Sequence, residues 1–238
     1  MRKIFSIASG ILLLACVHSG ILAQDKESEK IKGSGNVITR DVSIQPFDEL
    51  DASGVFELIL SQGAKEQLKI EADDNLQSLF EVNSEGSHLR ISMKKDVHYN
   101  SKKTMKVYLT FRNLKRMDLA MVGNVSSEGK LNFTELEIDN KSVGNVKLDI
   151  TAQKLDIQNN SVGNFVLSGK VENAVIKHNG VGAIRASDLL VQTMDIEASG
   201  VGSAEVNAEK QLKVKDTFLG RVRNRGNATV RKMNKVVI

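Results

Sequence analysis

Cysteine occurs once in these 238 residues, tryptophan not at all and tyrosine only twice. The lone cysteine, Cys16, stands near the N-terminus, so the folded part of the chain has no intramolecular disulfide and no cysteine-based metal site. Without tryptophan, and with only Tyr99 and Tyr108, the chain has few of the aromatic platforms on which sugar sites are commonly built. An excess of one charge is lacking too, with 33 lysines and arginines against 29 aspartates and glutamates. That balance points away from nucleic acid, or a membrane surface, as the main partner. The one apolar run, Ile4–Leu14, is too short to span a bilayer.

What is present begins with an export signal. Arg2 and Lys3 precede the apolar run, which is interrupted by Ser6, Ser9 and Gly10. Two cleavage schemes compete. Cleavage after Ala23 suits an ordinary signal peptidase, although Ile21 is larger than the small residue preferred there. Leu13-Leu14-Ala15-Cys16 resembles a bacterial lipoprotein box with Cys16 as the lipidated residue. Leu14 is bulky for that box, and the residues after Cys16 stay apolar, so ordinary cleavage is favoured. Either way the mature chain is exported to the periplasm, the outer-membrane surface or the medium, with anchoring through Cys16 as the alternative. Loss of residues 1–23 lowers the net charge from +4 to about +2. Residues 24–32 are charged and lack apolar periodicity, which reads as a flexible leader.

From residue 33 onward the dominant feature is a Val-Gly pair at a nearly fixed interval. It occurs at Val122-Gly123, Val143-Gly144, Val162-Gly163, Val181-Gly182 and Val201-Gly202, with Leu219-Gly220 as a degenerate sixth. The intervals are 21, 19, 19, 20 and 18 residues, the signature of a stacked repeat. With each valine as zero, apolar residues recur at fixed offsets. Seven before stand Leu136, Leu155, Ala174, Met194 and Leu212, and five before stand Ile138, Ile157, Ile176, Ile196 and Val214. Three after stand Val146, Phe165, Ile184, Ala204 and Val222, and five after stand Leu148, Leu167, Ala186 and Val206, then Asn224. Spacing of two within each group is strand periodicity. The odd spacing between groups demands a bend, which glycine supplies. The fold predicted is all-β: a parallel β-helix, or β-solenoid, of about 20 residues per coil, right-handed because parallel crossovers are overwhelmingly so. In this register the zero-position valines point inward. Asn124, Asn145 and Asn164 after three of the glycines read as a stacked turn ladder.

Residues 33–118 read as looser coils of the same solenoid, or as a sandwich-like cap, and residues 119–238 as the regular coils. Leu50-Asp51-Ala52-Ser53-Gly54-Val55 matches Ile196–Val201 in register, and Gly33–Val37 echoes Gly144–Val146. Strand-like runs lie at 67–71, 88–93 and 106–111, a helical turn or loop at 73–80, and a projecting polar loop at 94–103. Arg221, Arg223 and Arg225 crowd the last coil with Arg231, Lys232 and Lys235, where charge would block edge-to-edge stacking.

A search for chemistry returns little. Gly180-Val181-Gly182 and Gly200-Val201-Gly202 lack the third glycine and following helix of a dinucleotide fingerprint. His88, His98 and His178 have no metal-ligand spacing, and His178 reads as a solvated bend residue. Asp139, Asp149, Asp156 and Asp195 read as a scattered, solvated face. No catalytic residue, cofactor or metal site is expected. The contact candidates are Tyr99, Lys102 and Lys103 in the polar loop and Arg221, Arg223 and Arg225 at the basic end.

The export signal, the early Gly33-Ser34-Gly35-Asn36-Val37, the stretch Phe47-Asp48-Glu49-Leu50-Asp51-Ala52-Ser53-Gly54-Val55 and the repeated Ser-Val-Gly-Asn turns together resemble one family. It is the "putative auto-transporter adhesin, head GIN domain" family of exported Bacteroidetes proteins, and the resemblance runs from about Gly33 to Ile238. It implies a right-handed parallel β-helix and an adhesin role, and supplies no catalytic residues. The residues after the repeats are not expected to form a translocator barrel. The function expected is a non-enzymatic, exported β-solenoid that binds cell-envelope or extracellular material. The partner is unknown, with a glycan or an envelope or extracellular protein as candidates and no nucleic acid. The alternatives are a polysaccharide-acting enzyme on the same scaffold and a structural or sensor-associated envelope protein.

The register predicts that Val162→Asp buries an unpaired charge and destabilises the stack by about several kcal/mol. Intact mass and lipid labelling of the exported protein decide the fate of Cys16: cleavage after Ala23 yields an unlabelled chain beginning at Gln24.

Overall fold

The computed structural model describes residues 30–216 and 220–233. Within them the chain winds into a β-solenoid of about six stacked coils, about 20 residues apart. The export signal, Cys16, residues 24–29 of the leader and Leu219 lie outside the described residues.

Each regular coil has two strand segments and two corners. Strands Val125–Asn140, Val146–Asn159, Phe165–His178, Ile184–Ala198 and Gly202–Asp216 each pair in parallel with the next. Like residues therefore stand above like: Leu136 on Leu155, Ala174, Met194 and Leu212, and Val146 on Phe165, Ile184 and Ala204. These columns are at most 2% exposed and form one continuous core. One corner of each coil is the Val-Gly turn, and the other is a bend inside the long strand, near Ala152–Lys154 and its equivalents.

The Val-Gly corner corrects the sequence register. Val55, Val122, Val143, Val162, Val181 and Val201 are each about half exposed. The strand alternation does not stop at Ile138 or Ile157 but continues for four residues, so Asn140 and Ser142, and Asn159 and Ser161, take the inward positions. The valine comes one residue later and faces out. The glycine after it has φ between +137° and +148° in five coils, a region where a side chain is strained. A Cβ there would also strike the carbonyl oxygen of the preceding coil, that of Gly144 in the case of Gly163. The valines bridge one another in an outward ladder, and the backbone at the corner bonds along the stack, as from Gly144 N–H to the Val162 carbonyl at 2.9 Å.

A buried polar ladder fills the inward positions that the sequence register missed. Asn140 Nδ2 donates to Asn159 Oδ1 at 2.7 Å, and Asn159 Nδ2 lies 2.9 Å from His178 Nδ1. Ser142 and Ser161 hydroxyls donate to the amide oxygens of Asn140 and Asn159. His178 is therefore no solvated bend residue; it is 3% exposed. Because it faces an amide N–H, its Nδ1 must accept, which fixes the neutral ring with the proton on Nε2. Burial pulls its pKa down, with a weaker opposing pull from the Gly182 backbone. The exposed Asn ladder forms as well: Asn124 and Asn145 side-chain oxygens accept from the backbone N–H of Asn145 and Asn164, each at 3.0 Å. Its amides satisfy turn backbone from coil to coil.

Before the regular coils the winding changes. Glu49–Val55 and Glu57–Gln62 make a coil in register with Arg116–Val122 and Val125–Ser127, placing Val55 beside Val122. Strands His88–Met93 and Lys106–Phe111 add in parallel, but Phe80–Glu85, Gln67–Asp73 and Val37–Val42 add antiparallel. The solenoid thus opens into a two-sheet cap, closed inside by Phe56 against Phe80 at 5.7 Å. The echo at Gly33–Val37 is not a solenoid turn. Gly35 N–H donates to buried Asp73, and Ser34 and Asn36 grip Asp74 at the start of the short 3₁₀ helix Asp74–Leu79. At the other end, the Asn224 side chain caps the core through Ala208 N–H at 2.9 Å and the carbonyls of Ala208, Gly226 and Ala228.

Two outcomes follow from this geometry. In urea unfolding, Val162→Asp shifts stability by no more than about 1 kcal/mol, while Leu155→Ala costs about 2–5 kcal/mol; the reverse order would contradict the outward valine. A buried histidine with a lowered pKa contributes stability that is complete above the ordinary histidine value of about 6.5 and is lost as pH falls through it toward the folded-state value. The melting temperature of the native protein therefore drops between pH 7 and pH 5 more steeply than that of His178→Asn, whose side chain continues the ladder without titrating.

Candidate functional site

The cap leaves an open groove at the corner opposite the Val-Gly turns. In the regular coils this corner is covered by the coil before, where Ala152, Val171 and Val191 occupy one buried column. Phe133 begins that column. The preceding coil cannot cover it, because after Gln62 the chain turns away through Gly63 into the antiparallel strand Gln67–Asp73. Phe133 remains partly exposed, stacked on buried Phe111 with ring centroids 5.9 Å apart and planes 19° from parallel. The resulting groove has a volume of about 1280 Å³. Phe133 and the edges of Phe47 and Leu114 give its apolar surface, with Asn113, Asn132 and Thr134 beside them. Gln62 holds the wall: its oxygen accepts from Asn132 N–H at 2.8 Å, and its amide donates to the Asn132 and Arg112 carbonyls.

The charges of this groove are matched in pairs. Lys115 binds Asp48 at 2.7 Å, Arg112 binds Glu66 at 2.8 Å, and Arg116 spans Asp118 and Glu137 at 2.9 and 2.8 Å. The Lys115 hydrogen bond holds Asp48 below the usual carboxylate range, and Asp48 in turn raises Lys115. Burial opposes ionisation of Glu66, but the Arg112 hydrogen bond, its own backbone and the Arg112 charge together lower it. The Asp118 hydrogen bond leads the causes that raise Arg116 further. At neutral pH Asp48 and Glu66 are therefore fixed as anions against fixed cations. They offer steady hydrogen-bonding groups rather than an exchangeable proton.

A smaller pocket of about 430 Å³ lies at the Val-Gly corner and brings together three of the residues singled out in the sequence. Tyr99, Lys102 and Lys103 line it, facing Val55, Val122 and Met105. The loop that carries them is pinned rather than freely projecting. Tyr99–Asn100 pairs with Ile31–Lys32, and the Ser101 hydroxyl donates to Asp73 at 2.6 Å. Tyr99 is partly buried, with its hydroxyl 3.6 Å from Met93 Sδ, and burial raises its pKa. Lys102 and Lys103 are exposed.

Arg221, Arg223 and Arg225 lie at the far end, on the last coil, and do not join this pocket. Arg223 and Arg225 both reach Glu205, at 3.3 and 3.2 Å. Arg221 stands beside Ser203 in the register. The four aspartates do not converge. Asp139, Asp156 and Asp195 lie on one strand face, with Asp139 bound to Lys141 and Asp195 to Lys213, whereas Asp149 lies on the other strand segment. They are less solvated than the sequence suggested, since each has one buried carboxylate oxygen. Phe133 lies outside the apolar columns that stand seven and five residues before each valine. Carried three residues further, they reach Phe133, and its bulk against Ala152 and Val171 is the one available signal.

Among the described residues no helix is long and apolar enough to cross a membrane, and no cluster of histidine and carboxylate side chains is arranged to hold a metal ion. A family model described as "Putative auto-transporter adhesin, head GIN domain" matches residues 46–228. No curated protein matches the chain. Among solved structures, the fold is similar to a putative adhesin from Bacteroides fragilis, at 29% identity and a TM-score of 0.74, over 85% of this chain and all of that one. It is similar to a putative adhesin from Parabacteroides distasonis at 18% identity and a TM-score of 0.64, over 86% and 96% of the two chains. It also resembles a putative lipid binding protein from Parabacteroides distasonis at 21% identity and a TM-score of 0.59, over 87% and 100%. The latter two likenesses are of fold.

Proposed function

This chain belongs to the "putative auto-transporter adhesin, head GIN domain" family, and we propose that it is an exported, non-enzymatic binding module that holds a carbohydrate chain of the cell envelope or its surroundings. The regular coils serve as a rigid support, and the ligand lies in the groove at the cap. The observation that carries this reading is Phe133, a partly exposed ring made rigid by stacking on Phe111, in an open groove edged by amide and hydroxyl side chains. A sugar ring presents C–H bonds on its faces and hydroxyls around its rim. The first pack on an aromatic face, and the second hydrogen-bond to amides and carboxylates. The pairwise ion pairs favour binding over acid–base catalysis, because a general acid needs a proton that these anions do not hold. The adhesin name of the Bacteroides fragilis neighbour agrees with a binding role.

A glycan array followed by calorimetry tests this. The mature protein binds a defined oligosaccharide class, and Phe133→Leu weakens it about tenfold, roughly 1.4 kcal/mol, while the apolar contact with Phe111 keeps the melting temperature near native. Absence of glycan binding, or unchanged affinity in Phe133→Leu, would overturn the assignment.

A further inference from the structure

The Val-Gly corner forms a ridge that the fold does not use internally. Six valines, from Val55 to Val201, stand in one outward ladder, each about half exposed. At a β spacing of about 4.8 Å per coil the crest runs roughly 24 Å. Its flanks are almost free of charge. Of all residues within two positions of these valines, only Glu57 and Lys141 are charged, in a chain whose composition is 26% charged. The opposite corner, built by the same winding, carries Glu135, Lys154, Lys170 and Glu172, all exposed. Turn geometry explains the glycines and asparagines of the ridge but does not require valine at an exposed position. At one end the ridge runs into the 430 Å³ pocket, where Val55 and Val122 face Lys102 and Lys103. The chain also enters the fold there, since Ile31–Lys32 pairs with Tyr99–Asn100.

We propose that this ridge docks side-on to an anionic lipid surface, with the valine crest in the headgroup layer and Lys102 and Lys103 against lipid phosphates. Charge complementarity and the position of chain entry select this occupant. Two exposed lysines, Lys102 and Lys103, sit at one end of the apolar crest, beside the first described strand, Ile31–Lys32. Apolar area and anionic attraction together set the strength of such peripheral binding. A second copy of the chain fits the ridge less well. A narrow convex crest offers a few hundred Å² of apolar surface, short of the roughly 800 Å² per partner in a stable protein interface. Near-neutral net charge does not oppose the docking, because a bilayer reads charge within about 10 Å of its surface rather than the whole-molecule sum. The docking is independent of the carbohydrate groove, which lies at the other corner.

Flotation of the mature protein with vesicles tests it, using phosphatidylcholine alone and phosphatidylcholine with an equal share of phosphatidylglycerol. The protein floats with the anionic vesicles, and added salt weakens the association. The double variant Val162→Ser with Val181→Ser, and separately Lys102→Glu with Lys103→Glu, each lower binding about tenfold with unchanged melting temperature. No binding to anionic vesicles, or ridge variants that bind as the native protein does, would overturn the proposal. So would a native dimer in light scattering that the valine variant converts to monomer without affecting flotation, which would assign the ridge to a second copy. Loss of glycan binding with intact flotation would touch only the groove.

Discussion

The structure depends on a backbone-to-backbone contact. At every Val-Gly corner the α-carbon of one coil lies against the carbonyl of the coil before, closer than any side chain permits. Only glycine fits, both for that distance and for its positive φ. The contact sets the coil spacing at the turn, and the remaining features follow. The corner is correspondingly tight. This throws the preceding valine outward and leaves Ser142 and Ser161, then Gly180 and Gly200, as the last inward positions. Where the inward side chain grows from Asn159 to His178, the residue two positions on shrinks from Ser161 to Gly180, so the corner keeps its volume.

Stacking like on like creates a second demand, because polar groups repeat as faithfully as apolar ones. A buried asparagine in one coil places an amide beneath an amide in the next, and each supplies the donor its neighbour's oxygen needs. In the buried run Asn140 donates to the Asn159 oxygen and Asn159 to the His178 ring nitrogen, and in the surface run the amides of Asn145 and Asn164 donate to the oxygens of Asn124 and Asn145. Such a column must stop somewhere. The buried run gives way to Ala198, whose methyl side chain adds no polar group to the column. The ends of the sheets pose the same problem for the backbone. One is met by antiparallel strands that turn the solenoid into a cap, and the other by Asn224 and a basic last coil.

The two corners have diverged in character although the same winding makes both. The bend near Lys154 is charged and carries the Lys154–Glu135 ion pair, and where the cap fails to cover its first member it opens the groove around Phe133. The Val-Gly corner is apolar at its crest, with Glu57 and Lys141 the only charges within two positions of a valine. A solenoid multiplies any local choice by the number of coils, so a single half-exposed valine becomes a stripe. The carbohydrate reading and the lipid-surface reading therefore use different edges of one scaffold and place no competing demands on a residue.

By itself the sequence determined the repeat, its period, the four apolar columns and the pairing of Glu49–Val55 with the later coils, because strand alternation and glycine spacing are local properties written residue by residue. It also marked the family through the Phe47–Val55 stretch. Only the tertiary structure decided which way each corner residue faces. A one-residue change of phase at a bend inverts inward and outward, and Val162 and His178 were both assigned to the wrong side for that reason. Residues 33–118 read from the sequence as either looser coils or a sandwich-like cap, and only the antiparallel strand pairing decided between them. The groove at Phe133 exists because a preceding coil is missing, and the pocket at Lys102 because residues 55, 99 and 122 meet across the stack. Both arise from contacts between distant parts of the chain, which no spacing along the chain records.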